Sequence, residues 1–249
     1  MSELYELLKE WEPDLKENHL PGVTVDCVVF GYYDRSMRVL LVKPKSFEQW
    51  MLPGGFVRKD LSLDEAASRI LADRSGAKNI FLSQFRVFGK TGRTDDFYRD
   101  MPDDLWLKNR FISVGYYGLV DYHHVTPVTD AFSNACEWKE LTELPELVMD
   151  HKEILDEALH HLRRDLNDKP VGLNLLPEKF TMPDLQRLYE IILDKKLNRG
   201  NFYRKMLRYG ILVKLDEVRK GGAHKAPDLY SFDTEAYQKA LETGLQDSW

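Results

Sequence analysis

The residues best placed for chemistry lie in two stretches, one early in the chain and one late. In the first, Glu65 and Asp73 follow a Pro53-Gly54-Gly55 turn, with Arg69 and Arg74 close by. Carboxylates of this kind can hold magnesium against a phosphate. The ion wants a compact octahedron of oxygens, usually one or two carboxylates plus phosphate and water. The spacing works against that use here. Asp73 lies eight helical positions after Glu65, about 12 Å along the axis, too far to share one ion. Arg74 adjoins Asp73, and a fixed cation beside a bound dication is repelled by several kcal/mol at an effective dielectric of about 20. No catalytic set, metal-ligand set or cofactor is therefore expected. In the second stretch, Lys179 to Lys225, twelve bases stand against five acids, a local charge of +7 on a chain of net charge -6. Arginine, lysine and asparagine in such a run suit base edges and phosphates. The candidates are Arg199, Asn201, Arg204, Lys205 and Arg208, then Arg219, Lys220, His224 and Lys225.

The elements that must position these groups can be read from pattern. Ser62 followed by Glu65 is a capping-box signature. Leu63, Ala66, Ala67, Ile70 and Leu71 make one apolar helix face, and Gly76 stands where a C-cap glycine belongs. Upstream, Leu4, Leu7, Leu8 and Trp11 predict a short helix that Pro13 ends or soon follows. Val23 to Phe30 and Met37 to Val42 read as two strands of a hairpin. Asp26 is an acid inside an apolar strand. It fits either an outward-facing position or a pocket wall that accepts a ligand hydroxyl. Further strands are expected at 79–88, 110–121 and 135–138. Residues 89–108 form a long, Asp-rich loop that Phe97, Tyr98, Leu105 and Trp106 could pack down. Asp150 caps a late helix that reaches about Leu166. His123-His124 and His160-His161 read as a solvated turn and a helix surface rather than metal pairs.

Asn167 to Pro170 is turn-rich and marks a boundary. After it, Thr181 and Asp184 open a helix, 199–209 forms a second with Phe202, Met206 and Leu207 inward, and Gly210 ends it. Two strands, 211–215 and 229–232, then flank a basic loop. Helix, turn, helix and hairpin is the order of a winged helix, in which the second helix enters the major groove and the wing touches phosphates.

The early stretch resembles the Nudix box, written G-x5-E-x7-R-E-U-x-E-E-x-G-U with U a bulky aliphatic. Gly55, Arg69, Leu71 and Gly76 match. Leu61, Ile70, Asp73 and Arg74 stand where the motif has glutamate, and Ala77 fills the last position. The family's glutamates hold divalent metal, so the resemblance implies a Nudix scaffold without Nudix catalysis. With the second module, nearly the whole chain resembles the Nudix-related bacterial transcriptional regulators, which join a degenerate Nudix domain to a winged helix. The resemblance rests on residues 22–31, 52–58, Asp150-His151, 175–181 and 199–205.

It implies an α/β fold, an N-terminal α/β/α sandwich with a mixed sheet over 1–168 and a winged helix over 171–249. It further implies a homodimer on a palindromic double-stranded DNA operator, gated by a small effector such as ADP-ribose or a sugar like L-arabinose. Asp26, Lys43, Trp50 and Phe56 are the expected effector contacts. The chain departs from the family by an insertion near Thr94 to Lys108. The competing reading is a hydrolase of a nucleoside diphosphate derivative such as ADP-ribose, with metal held by Glu65, Asp73 and the acids of Asp95 to Asp104.

Composition agrees with a globular body, at 43% hydrophobic and 31% charged residues. No apolar run approaches ~18 residues, so no membrane span is expected. Met1 to Trp11 lacks a basic start and apolar block, against a secretory signal. Cys27 and Cys136 sit in apolar runs without metal-type spacing, which fits a reducing cytoplasm.

Overall fold

Burial along one strand sets the architecture of the first half. In β1 (His19–Tyr33), Val25, Cys27 and Val29 are fully buried, and so are the alternate residues Val28 and Phe30. Successive side chains point to opposite faces, so a strand buried on both needs a layer on each side. This is a computed structural model that describes residues 3–78, 80–103, 105–218 and 227–245. It divides into two compact units, Met1–Gly31 with Arg38–Ala158, and Tyr32–Met37 with Leu159–Trp249.

The first unit opens with α1 (Glu3–Asn18), followed by β1, β2 (Ser36–Pro44) and β3 (Gly54–Arg58). Helix α2 (Leu63–Ser75), β4 (Leu82–Phe88), β5 (Ile112–Asp121), β6 (Ser133–Glu140) and the start of α3 (His151–Asp168), as far as Ala158, complete the order. The strands align as β4-β5-β1-β2-β6, with β3 paired to β1. The ladders β1–β3, β2–β6 and β4–β5 are antiparallel. Thr24 meets Ile112 and Asp26 meets Ser113, so contacts advance together along β1 and β5 and these two run parallel. The sheet is mixed, as expected.

On one face Val25, Cys27, Val29, Leu40 and Val42 pack with Ala66, Ala67 and Leu71 of α2. Near the other, Ile154, Leu155 and Ala158 of α3 are buried, and Glu157 pairs with Arg86 of β4 at 2.8 Å. The capping box at Ser62 and Glu65 is formed, and Gly76 closes α2 at φ 74. Asp34 and Arg35 take left-handed φ values of 45 and 64, giving the tight hairpin turn between β1 and β2.

Pro13 does not end the first helix. α1 continues through it to Asn18, because Leu15 is fully buried beyond the proline and Glu12 accepts a 2.7 Å hydrogen bond from the Trp106 amide. The loop 89–108 is packed down as expected. Leu105 and Leu107 share a small core with Leu8 and Leu15 of α1, and Phe97 stacks on Phe47 with centroids 4.3 Å apart.

The second unit contains β7 (Phe180–Thr181), α4 (Met182–Leu193), α5 (Arg199–Arg208), β8 (Leu212–Val218), β9 (Asp228–Phe232) and α6 (Thr234–Thr243). Its sheet runs β7-β9-β8. Thr181 and Asp184 form a capping box on α4, and Asn198 caps α5. Leu185, Leu188 and Ile192 are fully buried, and Tyr189 meets Phe202 edge-on at 5.4 Å. Helix, helix and hairpin make the winged helix. Two details differ from the sequence reading. Leu207 is 43% exposed, because the inward face of α5 is already filled by Phe202 and Met206. α6 was not anticipated. Its signal is Asp233, whose side chain accepts from the Ala236 amide, and its buried Tyr237 and Ala240 pack with Ile211.

Among the described residues no helix is long and apolar enough to cross a membrane, and both cysteines are free and buried.

Candidate ligand cavity and nucleic-acid interface

The first unit holds a half-open cavity of about 660 Å³, a size usual for small-molecule sites. β1, β3, α1, α2 and the 89–108 loop supply its walls. Asp26 forms part of the floor. It is 5% exposed, and Ser113 Oγ donates to its Oδ2 at 2.6 Å. Gly54 is what lets β3 lie over it, since a Cβ there would fall 2.2 Å from Asp26 Oδ1. The outward-facing alternative for Asp26 is thereby excluded.

Arg93 reaches this floor from the long loop. Its Nε and Nη2 donate to the two Asp150 oxygens at 2.7 Å each, and Nη2 lies 3.5 Å from Asp26 Oδ2. Asp150 therefore serves Arg93 rather than a helix cap alone. Burial works against the Arg93 charge, but the Asp150 bonds and the Asp26 charge outweigh it and hold its pKa above the ordinary value. His151 is fully buried, and burial pushes its pKa down despite the nearby carboxylates. The Leu52 amide donates to His151 Nδ1 at 2.9 Å, so the neutral ring carries its proton on Nε2, 3.8 Å from Asp26 Oδ1.

Four arginines line the cavity: Arg58, Arg69, Arg74 and Arg93. Aromatic rings share the lining with them, and Arg74 rests over one of them, Phe132. Trp11 lies 5.0 Å from Phe132 and 5.8 Å from Phe56, and Phe56 lies 5.2 Å from Phe111. Tyr98 also lines the space, and burial pushes its pKa up to about 12, so its hydroxyl stays protonated at neutral pH. Guanidinium groups suit phosphate oxygens and flat rings suit a base, while Glu10, Asp14, Asp26, Asp73 and Asp130 line the same space and can accept from hydroxyls.

Of the four expected effector contacts, Asp26 and Phe56 line the cavity, whereas Lys43 and Trp50 do not. Lys43 follows Val42, which points into the core, so its side chain leaves by the other face and pairs with Glu48 at 2.9 Å. Trp50 is 9% exposed and lies under Lys139 Nζ at 4.2 Å. Sequence reasoning missed Trp11, Arg93, Phe132 and His151. The isolated acid Asp26 was the one available pointer to them.

The residues do not fit the magnesium that a Nudix scaffold implies. Glu65 Oε2 accepts from Ser62 N and Oγ at 2.9 and 2.7 Å, so its carboxylate is engaged in the cap. Asp73 has Arg69 3.8 Å away, and Leu61 and Ile70 bring apolar groups to the cavity. Asp95, Asp96, Asp100 and Asp103 are exposed and lie off the lining, and Asp104 lies outside the described residues. Among the described residues no three His, Cys, Asp or Glu side chains are grouped to hold a metal ion.

In the second unit, α5 exposes Arg199, Asn201, Arg204 and Arg208, with Lys205 half-buried. Arg204 Nη2 donates to Asn201 Oδ1 at 2.6 Å, which orients both side chains on one face. Lys205 Nζ lies 5.7 Å from the Tyr209 ring. No acid occurs on this helix. The wing candidates Arg219, Lys220, His224 and Lys225 lie outside the described residues.

Family comparison agrees with both halves. The Nudix domain matches residues 20–158, and the NrtR DNA-binding winged helix domain matches residues 172–232. The chain is 27% identical over 224 residues to the ADPR responsive transcriptional repressor NtrR of Acinetobacter baylyi, covering 87% of this chain and 84% of that one. Shewanella oneidensis NrtR superposes with a TM-score of 0.69 at 26% identity, covering 87% of this chain and 96% of that one. The Shewanella protein in complex with a 27mer DNA gives a TM-score of 0.71 at 24% identity, covering 91% and 99%.

Proposed function

We propose, from the premise that this chain belongs to the Nudix family and carries an NrtR-type DNA-binding winged helix, that it is a transcriptional repressor gated by ADP-ribose. The observation that carries the reading is the cavity itself. It sets arginines against aromatic rings in a chain whose other unit presents an acid-free basic helix. A diphosphate meets the guanidinium groups, the base meets the rings, and Asp26 accepts a ribose hydroxyl. The relative from Acinetobacter baylyi is an ADPR responsive repressor, which supports this effector. L-Arabinose is without that support, and a neutral sugar leaves the arginines unused.

The Nudix unit in this reading senses rather than hydrolyses, because its carboxylates are engaged elsewhere or replaced. α5 enters the major groove and the wing follows the backbone. Two copies bind a palindromic operator as a homodimer. ADP-ribose changes operator affinity only through its different affinity for the DNA-competent and DNA-incompetent states.

The test is a gel shift with DNA upstream of the protein's own operon, titrated with ADP-ribose, L-arabinose and AMP. The expected result is a shift that ADP-ribose alone releases. No shift at low salt removes the DNA reading. Release by the sugar alone replaces the effector. Magnesium-dependent turnover of ADP-ribose would restore the hydrolase reading.

A further inference from the structure

The four cavity arginines are not equivalent. Arg93 spends its Nε and Nη2 on carboxylates, and its side chain is 4% exposed. It belongs to the floor. Arg58 is tied to Asp60 at 3.0 Å, and Arg69 lies 3.8 Å from Asp73 with both side chains largely exposed. Arg74 differs from all three. Its side chain is 18% exposed and rests over the Phe132 ring, with Cζ 5.7 Å from the centroid. Nη1 pairs with Asp130. Nη2 has only the Met51 sulfur at 3.9 Å, and Nε is buried with no hydrogen-bond partner. Nε is out of a ligand's reach, so Nη2, whose one contact among the described residues is a sulfur, is the donor that leaves an incomplete anion site on the cavity wall. Arg74 also stands at a box position where the motif has a metal-binding glutamate.

We infer that Arg74 takes over the role of the divalent cation, so that the effector's diphosphate is held by guanidinium and its binding needs no metal. The inference rests on the proposed ADP-ribose reading and deepens it. Magnesium would meet Arg74 where a ligand should be, whereas a diphosphate oxygen meets a donor. Asp130 keeps Arg74 aligned: its other oxygen accepts from the Phe132 amide at 3.0 Å, which fixes the carboxylate. The loose Arg69–Asp73 pair opens at little cost and adds a second guanidinium.

Isothermal titration of the full chain with ADP-ribose tests this, run once in EDTA and once in magnesium. The dissociation constants are expected to agree within about twofold. Binding that appears only in magnesium overturns the inference and leaves the proposed function standing. No binding in either buffer overturns both. Arg74→Gln is expected to weaken binding about tenfold or more in both buffers, the scale of a lost hydrogen bond to a charged group. Because that variant leaves Asp130 without its partner, Arg74→Gln/Asp130→Asn restores a neutral pair, and its affinity is expected to stay low. Wild-type affinity in the folded double variant would show that Arg74 does not hold the diphosphate.

Discussion

α2 and α5 are short helices of similar make. Each is opened by a side-chain cap, Ser62 and Asn198, and each ends on basic residues. Their arginines are nonetheless used in different ways. α2 carries Asp64, Glu65 and Asp73 among its bases, and its arginines face carboxylates: Arg69 toward Asp73 and Arg74 toward Asp130. α5 carries no acid, and among the described residues Arg204 donates to the neutral Asn201. A guanidinium that already has a carboxylate serves a fixed, shaped site. One that meets only neutral groups keeps its field for a long polyanion. The acids beside an arginine say more about its use than the arginine does.

The sharpest way to break this contrast is at the cavity floor. Arg93→Met leaves Asp26 and Asp150 buried without their countercharge, and is expected to destabilise the first unit by about 3–5 kcal/mol. A lowered melting transition in the first unit with the second unchanged would bear it out, and an unchanged melt would show that the floor is not held by charge. On α5 the same kind of loss should leave stability alone. Arg204→Ala is expected to cost about 1–3 kcal/mol of operator affinity and leave ADP-ribose binding intact. Its salt dependence should also flatten by about one phosphate contact, ~0.9 in log-log slope. Equal loss of both ligands would end the division of labour.

The caps should behave alike despite their different helices. Ser62→Ala and Asn198→Ala are each expected to lower stability by about 1 kcal/mol, read by chemical denaturation. The smallest effect near neutrality is the pH response of His151. Its folded pKa is depressed by burial, so its contribution is complete above its ordinary value and is lost as pH falls through about 6.5 toward the folded value. The melting temperature should drop between pH 7.5 and 5.5, and a folded His151→Gln variant should drop less.

Much of this was legible in the chain. Apolar runs found most of the strands and capping residues found α2, α4 and α5, but the expected turn at Gly54-Gly55 is the start of β3, paired with β1 over Asp26. The cavity wall was harder. Arg93 lies in a polar loop without periodicity, and only folding brings it to Asp26 and Asp150. Trp11 looked like the end of a helix that continues instead. Lys43 looked like an effector contact because it stands near the box, but strand alternation sends it to the other face. Proximity in sequence predicted position well inside an element and poorly across elements.

The Glu12 contact with the Trp106 amide joins α1 to the end of the long loop, above a small core of their own. That wall is bound to itself as well as to the sheet. The rings of that wall are therefore held by contacts of their own, apart from the strand ladders of the sheet.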